Sequence, residues 1–449
     1  MSTIEKHDMT QGKILLPLVS FTIPLVLGNL FQLTYNAADS VIVGKYVGEQ
    51  ALAAVGTSTP IMNIAILLIS GMCMGASVLM SSQYGAKDYD TLSRQISTTM
   101  LAGCGFSVVF SLLMLLLANP VLRLIRVPET AIPEAAAYLR IIFMGLIFKF
   151  MYNFLANTMR ALGDSKTPLY FLVTSAFLNI FGDLFFVVVL RWGVAGSAIA
   201  TVCSEGLCCL LCGIYIKKKI PLLCLGKKWW VFDKSLLGKT VSYGSTSAMQ
   251  QVCLQLGKLI IQSVVNTQGV AVMAAFTAVN RVDDFAYTPQ QNIGHAMTTF
   301  LAQNKGAGHK ERMKKGFQTG LLIELVYSIG LFCVIWGLAP QIMTLFAEDG
   351  DAQVVSLGIS YLHLISWMYI LPGLTNGVQG FFRGIGDLKV TLYSTFMNMF
   401  GRVVAVFVMI RLLQMEFASL AWANMVGWIV MLLFEVPLLV KSMRNGECG

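Results

Sequence analysis

The chain has 449 residues, 56% of them hydrophobic and only 12% charged, about half the charge of a soluble domain, which excludes a water-soluble globular enzyme and a disordered chain. A formal charge of +9 would suit nucleic acid, but the basic residues are distributed for a membrane and exclude that partner. The 10 cysteines show neither metal-ligand nor disulfide spacing, and most sit in apolar stretches as small filler.

Taken in chain order, the first 13 residues are polar, with Glu5, Lys6, Asp8 and Lys13. The apolar segment after them is of full span length, so the start reads as a tail and a retained first helix rather than a cleaved leader. Twelve segments reach the length that crosses about 30 Å of hydrocarbon. They are 14–42, 52–83, 95–118, 132–158, 167–190, 194–216, 236–265, 270–302, 316–339, 354–381, 390–411 and 418–440. Between the sixth and seventh, 217–235 holds Lys217-Lys218-Lys219 and Lys227-Lys228-Trp229-Trp230. Lysine and tryptophan favour the membrane surface, so this stretch reads as a connector lying on it. The expected domains are a six-helix lobe at 1–216, the linker at 217–235 and a second six-helix lobe at 236–449.

Of the 32 Lys and Arg residues, 22 fall in the tails, the linker and the loops on one side, and five (Lys45, Arg123, Arg126, Arg191 and Arg411) on the other. This asymmetry predicts a multi-pass protein of the plasma or inner membrane with both termini in the cytoplasm.

The chain repeats itself. Arg160-Ala161-Leu162-Gly163-Asp164-Ser165-Lys166 recurs as Arg383-Gly384-Ile385-Gly386-Asp387-Leu388-Lys389, an offset of 383 − 160 = 223. Asn179-Ile180-Phe181-Gly182-Asp183 returns as Asn398-Met399-Phe400-Gly401-Arg402. Six spans per copy is an even number, so the copies share one orientation and form parallel repeats, an arrangement of secondary transporters. Arg160, Asp164, Arg383 and Asp387 end the fourth span of each copy, where glycine permits a tight turn and aspartate can cap the next helix. They are expected to be scaffold there, with closure of the cytoplasmic side as the sharper alternative. No phosphate-binding loop is present, so energy would come from an ion gradient or transport is passive.

Ionisable residues at membrane depth are costly and mark function by default. Asp39 lies in the first span. Asn179 and Asp183 share one face of the fifth, four residues apart, and Thr201 in the sixth adds a hydroxyl. Two carboxylates in an apolar setting make a proton switch, and this oxygen set would also accept Na⁺. The second copy carries bases instead: Lys258, Arg281 and Arg402, with Asp283 and Asp284. Arg281 and Asp284 are one turn apart and are expected to pair, while Lys149 would meet Asp39 or Asp183. Glu324 and Glu435 are expected on lobe exteriors as structural residues. Pro24 is expected to kink the first helix.

Asn36-Ala37-Ala38-Asp39-Ser40-Val41-Ile42-Val43-Gly44, the two six-span halves and the twin Arg-x-x-Gly-Asp phrases resemble the MATE multidrug and toxic-compound extrusion transporters, over nearly the whole chain. The resemblance implies an all-α integral membrane protein of about twelve helices in a V-shaped pair of lobes. It also implies alternating access, with efflux of bulky, often cationic compounds against H⁺ or Na⁺. In the DinF-like branch it implies that Asp39, Asn179, Asp183 and Thr201 couple the ion, with Asn153 and Asn157 nearby. The chain departs from NorM-like members, which place acids in the seventh and tenth spans; Gln250 and Asn376 stand there, and neutral amides exchange no proton. Tyr35, Lys149, Gln250, Lys258, Arg281, Asp284, Asn376 and Arg402 are the substrate-contact candidates. The expected partners are a small organic substrate and membrane lipid, for a monomer without cofactor or enzymatic activity. Two alternatives follow from the basic second lobe: flipping of a lipid-linked saccharide, and export of an anionic metabolite.

Overall fold

A computed structural model of the chain describes residues 8–444 except 48, 126, 130, 221–229, 347–351, 414–416 and 418. The side chains of 36–41, 43–44, 49–54, 57, 346, 411–412 and 419 also lie outside the described residues.

Every regular element among the described residues is helical. In order they are α1 (Leu15–Tyr46), α2 (Glu49–Gly85), α3 (Tyr89–Leu124), α4 (Ile132–Met144), α5 (Leu146–Ala161), α6 (Lys166–Asp183), α7 (Gly193–Lys219), α8 (Lys234–Val265), α9 (Val270–Gly306), α10 (Lys310–Phe346), α11 (Ala352–Ser366), α12 (Ile370–Gly384), α13 (Leu388–Phe407) and α14 (Ser419–Arg444). The expected fourth and tenth spans are each broken. α4 and α5 meet at Gly145 with a 46° bend. α11 and α12 are joined by a 3₁₀ turn, Trp367–Tyr369, and Pro372 follows in the first turn of α12, where its missing N–H costs least. Counting each broken pair as one path gives the twelve expected. Among the described residues nine helices are long and apolar enough to cross a membrane, ten with the bent pair. α8 and α9, which carry Lys258, Arg281, Asp283 and Asp284, are as long but too polar to be counted with them.

The repeat is visible in backbone detail. After α5 and again after α12 the chain reverses through a glycine at positive φ, 91° at Gly163 and 84° at Gly386, a conformation that side chains with a Cβ resist. The same two hydrogen bonds close both turns: Gly163 N–H to Arg160 O (2.9 Å) and Asp164 N–H to Met159 O (3.0 Å), then Gly386 N–H to Arg383 O (3.0 Å) and Asp387 N–H to Phe382 O (2.8 Å). This is the helix-ending motif that satisfies orphan carbonyls. α6 also passes into a π-helical segment, Leu184–Val189, and α13 into Val408–Leu412, 408 − 184 = 224 residues later.

The described chain forms two compact units: residue 8 with 23–248, and 9–22 with 249–444. The core of the first gathers Phe143, Phe150 and Phe154, and that of the second Tyr361, Tyr369 and Phe276. In the first unit, α2 and α8 meet backbone to backbone. A methyl on Gly75 would lie 2.5 Å from Gly244 N, and one on Gly71 2.7 Å from the Ala248 backbone, the small-residue spacing by which membrane helices approach closely. The chain entering α8 is fixed to α3 in the same unit. Asp233 pairs with Arg94, its N–H donates to Thr98 Oγ1 (3.1 Å) and that of Val231 to Ser97 Oγ (3.1 Å). In the second unit, the chain entering α1 is fixed to α9 and α10. Met9 N–H donates to Gln303 Oε1 (3.1 Å), Asn304 Nδ2 donates to Met9 O (3.2 Å), and Arg312 donates to the carbonyls of Met9, Gln11 (2.7 Å) and Gly12 (2.7 Å). α1 runs as one helix through Pro24, and its allocation changes from one unit to the other at Thr22–Ile23.

Candidate functional site

In the first unit the polar residues form stripes on three helices. On α6, Asn179 and Asp183 are 3% and 0% exposed, and Asp183 is the last residue before the π-helical segment. On α7, Thr201 lies opposite them: Asn179 Nδ2 donates to its Oγ1 at 3.2 Å. The helices approach closely here because small residues line the seam; a methyl on Gly182 would sit 2.9 Å from Ala200 Cβ. The structure therefore brings Asn179 and Thr201 together, with Asp183 buried one helical turn beyond Asn179. The side chain of Asp39 lies outside the described residues.

Lys149, on α5, is expected to meet Asp39 or Asp183. It donates to Glu205 Oε1 at 2.6 Å, both side chains largely buried; the Asp39 side chain, one of its expected partners, lies outside the described residues. Glu205 is one turn beyond Thr201 on α7. Asn153 and Asn157 continue the α5 stripe, but their Nδ2 groups donate to Lys149 O (2.9 Å) and Asn153 O (2.8 Å), back onto their own helix. Tyr35, on α1, lies close enough to Lys149 to act on it electrostatically.

The twin phrases differ in their side chains. Asp164 caps α6, accepting from the N–H groups of Lys166 and Thr167 (both 3.0 Å), whereas Asp387 makes no such cap on α13. Arg160 is partly buried. Arg383 is buried in the second unit, where it donates to Gln379 Oε1 (3.3 Å) and faces His295 Nδ1 (3.3 Å).

In the second unit the expected Arg281–Asp284 pair does not form. Asp284 takes Lys258 from α8, Nζ to Oδ1 3.4 Å, with both side chains more than half exposed. A residue one turn away on the same helix loses to one reaching across from the neighbouring helix. Arg281 is exposed on α9 and has no ion-pair partner among the described residues. Gln250 is buried, donating to Gln379 Oε1 (3.2 Å) and Thr395 Oγ1 (2.9 Å). Asn376 bonds back to Pro372 O (2.9 Å). Arg402 lies within electrostatic reach of Asp283.

One polar cluster and the burial of two acids were not expected from the sequence. Asp283, 4% exposed, accepts from the hydroxyls of Tyr369 and Tyr361 (3.4 Å), and Asn424 donates to Tyr361 Oη (2.7 Å). Glu324 and Glu435, expected on lobe exteriors, are 1% and 0% exposed: α10 and α14 turn these acids inward, against α9 and α12. The only signal in the sequence was that an acid in an apolar span is expensive facing lipid.

A model of the MatE family matches residues 24–185 and again 247–409, an offset of 247 − 24 = 223 that equals the spacing of the repeated phrase. The probable multidrug resistance protein YpnP of Bacillus subtilis is 32% identical over 87% of this chain and 86% of its own. The probable multidrug resistance protein NorM of Thermotoga maritima is 23% identical over 92% and 89%. Among solved structures, an outward-facing multidrug resistance MATE family transporter of the MOP superfamily superposes with TM-score 0.90 at 22% identity, covering 100% of this chain and 99% of that one. A MOP superfamily transporter from Pyrococcus furiosus, described as having a binding pocket of reversed polarity that suggests a different function, superposes with TM-score 0.90 at 21% identity over 99% of each chain.

Proposed function

The chain belongs to the MatE family, whose members are multi-pass membrane transporters, and from that premise we propose that it is a multidrug exporter. In this reading it moves amphipathic organic cations out of the cell in exchange for H⁺ or Na⁺ by alternating access, with both termini in the cytoplasm. The observation that carries the coupling assignment is the burial of Asp183 beside the Asn179–Thr201 pair. Lys149 is paired with Glu205. A buried carboxylate with an amide and a hydroxyl at hand is stable once neutralised, by a proton or by a small cation. A cationic substrate and the coupling ion then compete for the same negative charge, which is what antiport requires. Asp39, on α1, would be the second member of this pair.

A second reading, export of an anionic metabolite, draws on the exposed Arg281 and Lys258 of the second unit. Charged side chains exposed at membrane depth face water rather than lipid, so α8 and α9 would line the aqueous path. The reversed pocket polarity described for the Pyrococcus furiosus transporter keeps this reading open as a specific alternative.

Proteoliposomes carrying the protein should release ethidium when a pH or Na⁺ gradient is imposed, and substrate should dissipate that gradient. Asp183→Asn should abolish gradient-driven efflux. Undiminished efflux by that variant overturns the coupling assignment, and competition by organic anions instead of cations moves the substrate reading to Arg281.

A further inference from the structure

Glu324 on α10 is buried inside the second unit, and neither of its carboxylate oxygens has a hydrogen-bond partner. Such a group costs several kcal/mol unless something neutralises it. Around it stand two fully buried polar side chains, Gln290 on α9 and Ser328 one turn along α10. Gly373 of α12 forms the opposing wall. A methyl there would lie 2.9 Å from Ser328 Oγ, 3.2 Å from Gln290 Nε2 and 3.4 Å from Glu324 Oε2, so three side chains from two helices converge on one glycine face.

The amide of Gln290 is fixed in orientation. Its Nε2 donates to Tyr369 O (2.8 Å) and Ser328 Oγ (3.1 Å), and its Oε1 is left buried without a donor. The cluster therefore holds three orphan acceptors, Glu324 Oε1 and Oε2 and Gln290 Oε1, and no spare N–H or O–H to satisfy them. The ligand that matches such a set is a cation. Its charge follows from the count: one carboxylate among neutral oxygens balances one positive charge. No group of three or more His, Cys, Asp or Glu that could hold a metal occurs among the described residues, which removes the multi-carboxylate set a divalent ion would need.

We propose that Glu324, Gln290 and Ser328, closed by Gly373, form a binding site for one dehydrated Na⁺ within the second unit. Hard oxygen donors suit Na⁺, and burial behind α9 and α12 requires that it shed its water. The site is in a different unit from Asp183, so it adds to the coupling assignment above and does not depend on it. Its occupancy would be felt at Asp283, because Tyr369 offers its carbonyl to Gln290 and its hydroxyl to Asp283.

The test is ligand binding by the purified full-length chain in nanodiscs. Apparent melting temperature is followed while NaCl replaces choline chloride at constant ionic strength, at pH 8 and at pH 6. A saturable, Na⁺-specific rise is expected at pH 8, weaker at pH 6 where protons compete. In the Asp183→Asn background, which removes the first unit's carboxylate, the rise should remain; Glu324→Gln added to it should lose the rise, and Ser328→Ala should weaken the apparent affinity about tenfold, equal to one hydrogen-bonding contact. If Glu324→Gln does not yield folded protein, Gly373→Ala decides, since it leaves the carboxylate and fills the cradle; it too should lose the rise. Absence of a Na⁺-specific rise in the unmodified chain, or its persistence when Glu324→Gln or Gly373→Ala is combined with Asp183→Asn, overturns the site. A rise abolished by Asp183→Asn and kept by Glu324→Gln overturns it as well, and places Na⁺ in the first unit.

Discussion

Gly75→Ala tests whether α2 and α8 truly touch through their backbones. The added methyl would stand 2.5 Å from Gly244 N and 2.6 Å from Tyr243 C, where ordinary contact begins at 3.4 Å. Both obstacles are main chain, so no rotamer change can relieve them, and the helices must separate by 3.4 − 2.5 = 0.9 Å at the crossing. Overpacking of this kind costs about 1–3 kcal/mol, from which alanine's better helix propensity returns up to about 1 kcal/mol. Gly105→Ala on α3 is the control, because a methyl there meets nothing within 4 Å; it should be neutral or slightly stabilising. At roughly 2–4 °C per kcal/mol for domains of 150–250 residues, Gly75→Ala should lower the unfolding temperature by several degrees in detergent, read by tryptophan fluorescence. Gly244→Ala should do the same, its methyl meeting Met72 Cα at 2.8 Å. If Gly75→Ala unfolds with Gly105→Ala, the α2–α8 contact as described is wrong.

Two further outcomes follow from the ion pair and the anchored start of the chain. Lys149→Met and Glu205→Gln should each destabilise by up to about 3 kcal/mol through the charge left behind, and the double variant should recover most of it, measured as a cycle of unfolding temperatures. Arg312→Ala removes the donor to the carbonyls of Met9, Gln11 and Gly12, so limited trypsinolysis at Lys13 should accelerate while the core helices stay protected.

The twelve-path architecture and its duplication were legible because apolar length and a repeated phrase are local signals, and membrane thickness converts the first directly into helices. The glycines of that phrase announced tight turns, and both copies have them, each through a glycine at positive φ. The face shared by Asn179 and Asp183 followed from helical spacing alone. Pairing was not legible in the same way. Asp284 had a basic residue one turn away in Arg281 and took Lys258 from the adjacent helix; Lys149 on α5 found Glu205 on α7, a partner that helical spacing within one segment does not reveal. Which side chain wins depends on how two helices are rotated about their axes, and apolar-all-round sequences carry almost no record of that rotation. The inward turn of Glu324 and Glu435 was hidden for the same reason.

The anchoring of residues 9–12 also sets a schedule for biogenesis. Met9 finds its partner Gln303 only 294 residues later in the chain, an interval of about 15–60 s at ordinary synthesis rates. Residues 9–12 are thus packed long after they are made, and the opening turns of α1 must wait in the bilayer until α9 and α10 arrive. The start of α8 has no such wait, since Arg94 and Thr98 are already in place when Asp233 is made. Assembly of the second unit is what retroactively completes the first helix.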